Sequence, residues 1–304
     1  MLAQQNFIRQ TEGDNMPIDV APFSSALGAS VTGIDLSAPI DADDFRDIHA
    51  AWLEHLVLVF PGQNFSDTDQ VRFTEMFGDL PDKPVRSRGT KSAKQLHKSV
   101  MLVTNIREDG KVIGSLPDGE MHFHTDGAYE TDPYRYTLLY AIEVPKTGGN
   151  TLFANMYTAY DTLDDDLKRR LAGVDAEHGF YTGVDVSDDM KSALGLGDYQ
   201  STARHPVFCA HEETGRTALY VNRLLTQCIA DAADRESREI LSRLFDHSER
   251  SEFVYEHIWT AGDFVMWDNR CTNHARTDFS AGERRLLRRT TVQGVAPAAA
   301  VISA

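Results

Sequence analysis

Met121-His122-Phe123-His124-Thr125-Asp126-Gly127-Ala128-Tyr129 is the stretch on which the fold and chemistry of this chain turn. In a strand running into a turn, successive side chains alternate faces, so His124 and Asp126 project together while Thr125 points away. One imidazole and one carboxylate supply two corners of a 2-His-1-carboxylate facial triad, which holds a non-heme Fe(II) and leaves positions open for substrate and oxygen. A His-x-Asp triplet arises easily by chance, so a third, distant ligand is required. On the same alternation His122 shares the face of His124 and Asp126, which keeps a three-histidine set open as well.

A candidate third ligand lies in Gly262-Asp263-Phe264-Val265-Met266-Trp267-Asp268-Asn269-Arg270-Cys271-Thr272-Asn273-His274. Residues 264–267 are a short apolar run of the kind that forms a buried strand, and Asp-Asn-Arg reads as the turn ending it, which places His274 just past a strand end. Farther on, Glu283-Arg284-Arg285-Leu286-Leu287-Arg288-Arg289-Thr290-Thr291-Val292 ends β-branched and is expected to be another strand. At period two, Arg285, Leu287 and Arg289 share one face and Arg284, Leu286 and Arg288 the other. Two arginines on an inward face are costly unless an anion meets them, and the guanidinium fork matches a dicarboxylate. Six arginines fall between positions 270 and 289 of a chain whose formal net charge is −16, so this basic island suggests a small anion bound locally. Arg284 and Arg288 are expected on a solvated or salt-bridged face.

Taken in order, His124-Thr125-Asp126, Thr147-Gly148-Gly149-Asn150-Thr151, Trp267-Asp268-Asn269-Arg270 with His274, and Arg285 with Arg289 resemble the taurine dioxygenase and 2,4-dichlorophenoxyacetate dioxygenase family. Leu27-Gly28-Ala29-Ser30-Val31-Thr32-Gly33-Ile34-Asp35-Leu36 looks like its opening strands. His55-Leu56-Val57-Leu58-Val59-Phe60 with Gly62-Gln63, and Phe77-Gly78-Asp79-Leu80, look like further landmarks. The resemblance implies a mainly β chain with flanking helices around a double-stranded β-helix, a cupin-like jelly roll. It implies an Fe(II)- and 2-oxoglutarate-dependent dioxygenase that uses O2, with His124, Asp126 and His274 as metal ligands. His122 would then line the pocket or orient a ligand from behind. Thr151 and Arg285, with Arg289 beside them, would hold 2-oxoglutarate, and Arg289 also matches the position with which the taurine enzyme grips a sulfonate. A small anionic substrate of the sulfonate, carboxylate or aryloxy acid class would be hydroxylated with release of succinate and CO2, by a protein assembled as a dimer or tetramer.

The chain also departs from the taurine enzyme. It lacks the histidines found there after Phe-Gly-Glu-Leu, and Glu120 and Phe123 replace polar and indole groups before the ligand strand, so taurine itself is a poor expectation. Glu120, His122, Phe123, Tyr129, Lys83 and Leu225 are expected around the substrate. The competing readings are a same-fold iron enzyme with another outcome, such as halogenation, desaturation or epimerisation, and a non-catalytic anion-binding barrel. Asp126 counts against a halogenase, which normally lacks the carboxylate ligand.

Composition is that of an ordinary globular chain: 304 residues, 41% hydrophobic and 25% charged. One domain over 17–296 is expected, with lid insertions near 81–118 and 183–201 and tails at 1–16 and 297–304. Nothing resembles a signal peptide or membrane helix, so a cytoplasmic location is expected. The acidic balance argues against nucleic acid. Three cysteines without CxxC spacing indicate neither a disulfide framework nor a zinc site. Helices are expected over 41–56 on a Phe45, Ile48, Trp52 and Leu56 stripe, after a Ser66/Asp69 capping box, over 156–171 capped by Asn155, and over 232–247. His178 and His205 read as core or surface histidines.

Overall fold

The structure, a computed structural model, describes residues 18–82, 95–115, 119–179 and 202–302. Lys83 and the expected lid at 183–201 lie outside the described residues, as does much of the 81–118 insertion. The first part of the chain forms β1 (Asp19–Pro22), β2 (Ala29–Thr32), α1 (Ala42–His55), β3 (Val57–Phe60), α2 (Asp67–Glu75), β4 (Met101–Thr104), β5 (Arg107–Glu108) and β6 (Lys111–Val112). Next come β7 (Met121–His124), β8 (Tyr134–Glu143), β9 (Thr151–Asn155), α3 (Met156–Asp161), α4 (Asp165–Leu171), β10 (Asp175–Gly179) and β11 (Thr202–Pro206). The rest is β12 (Phe208–Ala210), β13 (Thr217–Leu219), β14 (Thr226–Ile229), α5 (Asp234–Ser248), β15 (Val254–His257), β16 (Phe264–Asp268), β17 (Thr272–Arg276), β18 (Leu286–Gln293) and β19 (Ala298–Ala299).

Two sheets face each other in the jelly-roll arrangement. The larger runs β1-β2-β3-β16-β8-β18-β4, and the smaller runs β15-β9-β17-β7. The central strands β3 and β16 of the large sheet are buried on both faces, which is why they read as apolar runs. Leu58, Phe60, Leu138, Tyr140, Phe264 and Met266 point outward into a layer closed by Ile48 and Trp52 of α1 and Phe73 of α2. Val57, Val59, Leu139, Ala141, Val265, Trp267 and Leu287 point inward toward the small sheet. Trp52 is 1% exposed, and truncating so large a buried ring costs about 3–5 kcal/mol.

The helices begin where the expected caps stand. Asp41 accepts from the backbone N–H groups of Asp43 and Asp44, and Ser66 and Asp69 form the reciprocal capping box. The stretch 156–171 is two helices rather than one. Asp164 caps a fresh helix by accepting from Asp166 N and Leu167 N, its carboxylate taking the place of the backbone carbonyls that a continued helix would supply.

Arg288, expected on a solvated or salt-bridged face, is buried instead. It lies on the outer side of β18 under α2, donates to the Phe65 carbonyl at 2.7 Å, and sits 4.7 Å from the centre of the Tyr140 ring. Arg284 does pair at the surface, with Glu143. The stretch expected to be a terminal tail is attached: β19 pairs with β12, and Ala300 N donates to Phe208 O at 2.9 Å. No helix among the described residues is long and apolar enough to cross a membrane.

Candidate metal and co-substrate site

The small sheet brings the three expected ligands together. β17 pairs antiparallel with β7, and His274 lies directly opposite His124. Asp126 follows β7 in a turn that Gly127 enters with φ 77°, a conformation that costs glycine little. His124 Nε2 lies 3.9 Å from Asp126 Oδ1 and His274 Nε2 lies 4.0 Å from Asp126 Oδ2. All three side chains are buried, with their ligand atoms within 4.8 Å of one another. His274 stands inside β17 rather than past a strand end, because the turn after Asp268 is short and the chain re-enters the sheet at Thr272.

A register shift in β7 overturns the face expected for His122. His274 pairs with His124 but Arg276 pairs with Met121, so three steps on β7 span two on β17. Such a bulge breaks the alternation locally. Met121, not His122, lines the cavity beside His124. The His122 side chain is 39% exposed and lies 3.5 Å from Glu120, whose own side chain is 61% exposed. The three-histidine alternative therefore falls away. The His122 carbonyl nevertheless serves the site by accepting from His124 Nδ1 at 2.9 Å, which leaves the lone pair on Nε2.

The charges are arranged for a divalent cation. Burial holds both imidazoles below their ordinary value and therefore neutral, the form that binds metal. Burial pushes the Asp126 carboxyl up, but Arg289, the two histidines and a hydrogen bond from Thr137 outweigh it and hold the group well below the usual carboxylate range. Two neutral imidazoles and one carboxylate are the donor set that suits Fe(II).

The ligands open into a cleft of about 440 Å³, counting its mouth, lined among others by Val103, Met121, Leu139, Thr151, Trp267, Arg276, Arg285 and Arg289. Arg285 is 2% exposed, its Nε donates to the Gly149 carbonyl at 3.2 Å, and its Nη1 has no hydrogen-bond partner among the described residues. Burial, aided by the charge of Arg276, pushes its pKa down to about 9. A Cβ on Gly148 would clash with the Asp278 carbonyl oxygen and one on Gly149 would stand 3.3 Å from Arg285 Cδ, and both residues have positive φ, which accounts for the glycine pair in the preceding turn. Thr151 Oγ1 accepts from the Trp259 indole at 3.0 Å, so its own hydrogen is free to meet a ligand oxygen. Arg289 donates to Asp126 Oδ1 at 3.0 Å. Arg276, which sequence reasoning placed only in the basic island, lines the cleft and donates to the Gly119 carbonyl.

Several expected substrate contacts lie elsewhere. Leu225 is 3% exposed, buried in the core rather than in the cleft, because Asn222 and Gly179 pin its backbone. Phe123 packs against the main core, Tyr129 is half-buried in the turn after Asp126, and Glu120 is exposed.

A second buried group, His211, Asp268 and Cys271, also lies within 4.8 Å but is a structural lock. Asp268 takes hydrogen bonds from His211 Nε2 and Arg270 Nη2 on one oxygen and from Arg270 Nε on the other. His211 Nδ1 accepts from the backbone N–H groups of Glu213 and Thr214. The lock secures the turn that delivers β17 and His274.

The model of the Taurine catabolism dioxygenase TauD, TfdA family matches residues 19–291. The chain belongs to that family. It is 36% identical over 280 residues to pentalenolactone F synthase of Streptomyces avermitilis, covering 87% of this chain and 90% of that protein. It is 31% identical to the (S)-phenoxypropionate/alpha-ketoglutarate-dioxygenase of Sphingobium herbicidovorans, covering 91% of this chain and 95% of that one. It is also 31% identical to the alpha-ketoglutarate-dependent 2,4-dichlorophenoxyacetate dioxygenase of Cupriavidus pinatubonensis, covering 91% and 98%. Among solved structures, AAD-2 in complex with Mn(II) and N-oxalylglycine superposes with a TM-score of 0.75 at 28% identity, covering 95% of this chain and 100% of that one. A taurine dioxygenase from Burkholderia xenovorans superposes with a TM-score of 0.75 at 28% identity, covering 93% of each chain. This family member is an Fe(II)- and 2-oxoglutarate-dependent dioxygenase, and its buried donor set and unpartnered Arg285 nitrogen fit the metal and the dianion.

Proposed function

We propose that this dioxygenase binds Fe(II) through His124, Asp126 and His274, holds the far carboxylate of 2-oxoglutarate with Arg285 and Thr151, and hydroxylates a small organic anion met by Arg289. Arg285 carries the assignment: a guanidinium 2% exposed, with an unpartnered Nη1, opens into the same cleft as the metal-ligand atoms. A buried cation in that state is stabilised by a carboxylate that takes its fork. Fe(II) and 2-oxoglutarate supply the chemistry when bound, converting O2 and the keto acid to succinate and CO2 while a substrate C–H bond is hydroxylated.

The chain's own residues select and orient. Arg285 approaches the cleft from its Nε bond to Gly149, so its remaining nitrogens are presented in a fixed direction. Thr151 keeps its hydrogen for the same carboxylate, since its oxygen already accepts from Trp259. Arg289 uses one nitrogen on Asp126, and among the described residues the other meets the Met101 sulfur at 3.7 Å, a weak acceptor that a substrate anion readily replaces. Val103, Met121, Leu139 and Trp267 give the cleft apolar walls that exclude water and suit an apolar or aromatic body.

A carboxylate, and an aryloxy acid in particular, is the substrate class we favour. Two relatives at 31% identity are named for phenoxypropionate and 2,4-dichlorophenoxyacetate. The test is succinate formation by anaerobically Fe(II)-loaded protein given 2-oxoglutarate and then oxygen, across a panel of aryloxy acids, other carboxylates, sulfonates, sulfate esters and neutral aryl ethers. Succinate above the uncoupled background with an aryloxy acid supports the assignment; a response to neutral compounds alone defeats it.

A further inference from the structure

Behind Asp126 runs a hydrogen-bond chain. Trp267, whose ring forms part of the cleft wall, donates from its indole Nε1 to Asn269 Oδ1 at 3.0 Å. Asn269 Nδ2 donates to Thr137 Oγ1 at 2.9 Å, and Thr137 Oγ1 donates to Asp126 Oδ2 at 2.7 Å. Every side chain in it is buried. Its direction is fixed from one end. An indole nitrogen can only donate, so the Asn269 amide must turn its oxygen to Trp267 and its nitrogen to Thr137. The Thr137 oxygen then accepts, and its single hydrogen goes to Asp126. Reversing the amide would set two donors against each other and leave the carboxylate oxygen without its bond.

We propose that Thr137, aligned by Asn269 and Trp267, is a positioning residue that fixes the orientation of the Asp126 carboxylate toward the metal, Thr137 meeting Oδ2 while Arg289 meets Oδ1. Thr137 stands on the inner face of β8 directly opposite Trp267 of β16, so the large sheet itself sets where the hydroxyl lies. The proposed ligands belong to the small sheet and its turn; this chain, beside Arg289 of β18, is how the large sheet reaches Asp126. A carboxylate held in one orientation would meet a bound metal without first having to be ordered. The proposal rests on the assignment of Asp126 as a ligand.

The test uses the full chain with Co(II) as an oxygen-inert probe, reading affinity and the visible d–d absorption that reports coordination number. Thr137→Val keeps the shape and removes the donor. It is expected to weaken Co(II) binding by about 10- to 100-fold, the range for loss of a partner behind a metal ligand, and to change the d–d band. Thr137→Ser restores the hydroxyl and is expected to bind as the unaltered protein does. Asn269→Ala leaves the hydroxyl unaligned and is expected to fall between. Wild-type Co(II) affinity and spectrum in Thr137→Val overturn the proposal, as does Thr137→Ser behaving like Thr137→Val, which assigns the effect to packing. If Thr137→Val does not fold, unchanged binding and spectrum in Asn269→Ala overturn it equally. Asp126→Ala separates the two levels: retained Co(II) affinity there defeats the ligand assignment, whereas its loss beside an unaffected Thr137→Val defeats the positioning role alone.

Discussion

Thr125 Oγ1 donates to Asn273 Oδ1 at 2.7 Å, so the residue between two of the proposed metal ligands is bonded to the residue beside the third. Asn273 continues to the Val221 carbonyl at 2.8 Å. Alternation makes this possible: His124, Asp126 and His274 face the cleft, while Thr125 and Asn273 face away and tie the same backbones together. Thr125→Val leaves Asn273 Oδ1 buried without that donor, which costs about 1–3 kcal/mol. Chemical denaturation of the metal-free protein should show a lowered midpoint at unchanged slope; an unmoved midpoint rejects the tie.

Arg285→Met should separate binding from stability. Removing a buried cation that has an unpartnered nitrogen relieves desolvation, so the metal-free protein is expected to be as stable as before or more so. Affinity for 2-oxoglutarate should fall by about 2–5 kcal/mol, as for truncation of one partner in a buried charge pair. Calorimetric titration of 2-oxoglutarate into the Co(II)-loaded variant checks this, and undiminished affinity would remove Arg285 from the co-substrate site.

Arg289→Gln is expected to reduce kcat/KM for an anionic substrate by about 100-fold or more while substrate-independent 2-oxoglutarate turnover persists. The same change breaks the ion pair with Asp126, so the metal-free melting temperature should drop. Equal loss of coupled and uncoupled turnover would place Arg289 with the co-substrate rather than the substrate.

Acid should destabilise the metal-free protein earlier than carboxylates alone would. Burial holds His124 and His274 below their ordinary value and pushes His178 down to about 3. In the unfolded chain each titrates near about 6.5. Below that pH the unfolded state takes up protons that the native state refuses, so stability is full above it and falls as pH drops. The depressed Asp126 carboxyl acts in the same sense at lower pH, its contribution being lost as pH falls through its folded value. Urea midpoints measured from about pH 8 down to about pH 5 should decline; a rise toward acid would contradict the assignment.

Most of the site was legible because its signals are local. His124 and Asp126 sit two positions apart, the apolar runs of β3 and β16 are dense enough to mark buried strands, and Arg285, Leu287 and Arg289 face inward as period two requires. What escaped depends on pairing between distant segments. The bulge that exchanges Met121 for His122 arises from how β7 meets β17, and nothing within the stretch 121–129 announces it. Arg288 is buried because α2 closes over it and Tyr140 and Phe65 receive it, a tertiary arrangement that alternation alone cannot supply. Leu225 follows a strand-like run yet turns into the core, since Asn222 folds back to hold its amide.

β7, which carries His124 and leads into Asp126, has β17 as its one strand neighbour among the described residues, whereas β17 lies between β9 and β7. Two of the three proposed metal ligands therefore stand on the margin of the small sheet and one stands within it. Peeling back a marginal strand breaks far fewer bonds than global unfolding. On the proposed ligand assignment, iron release is expected to follow the opening of this one marginal strand rather than global unfolding, so substitutions at the β7–β17 pairing should change the metal's residence time more than the lifetime of the folded protein.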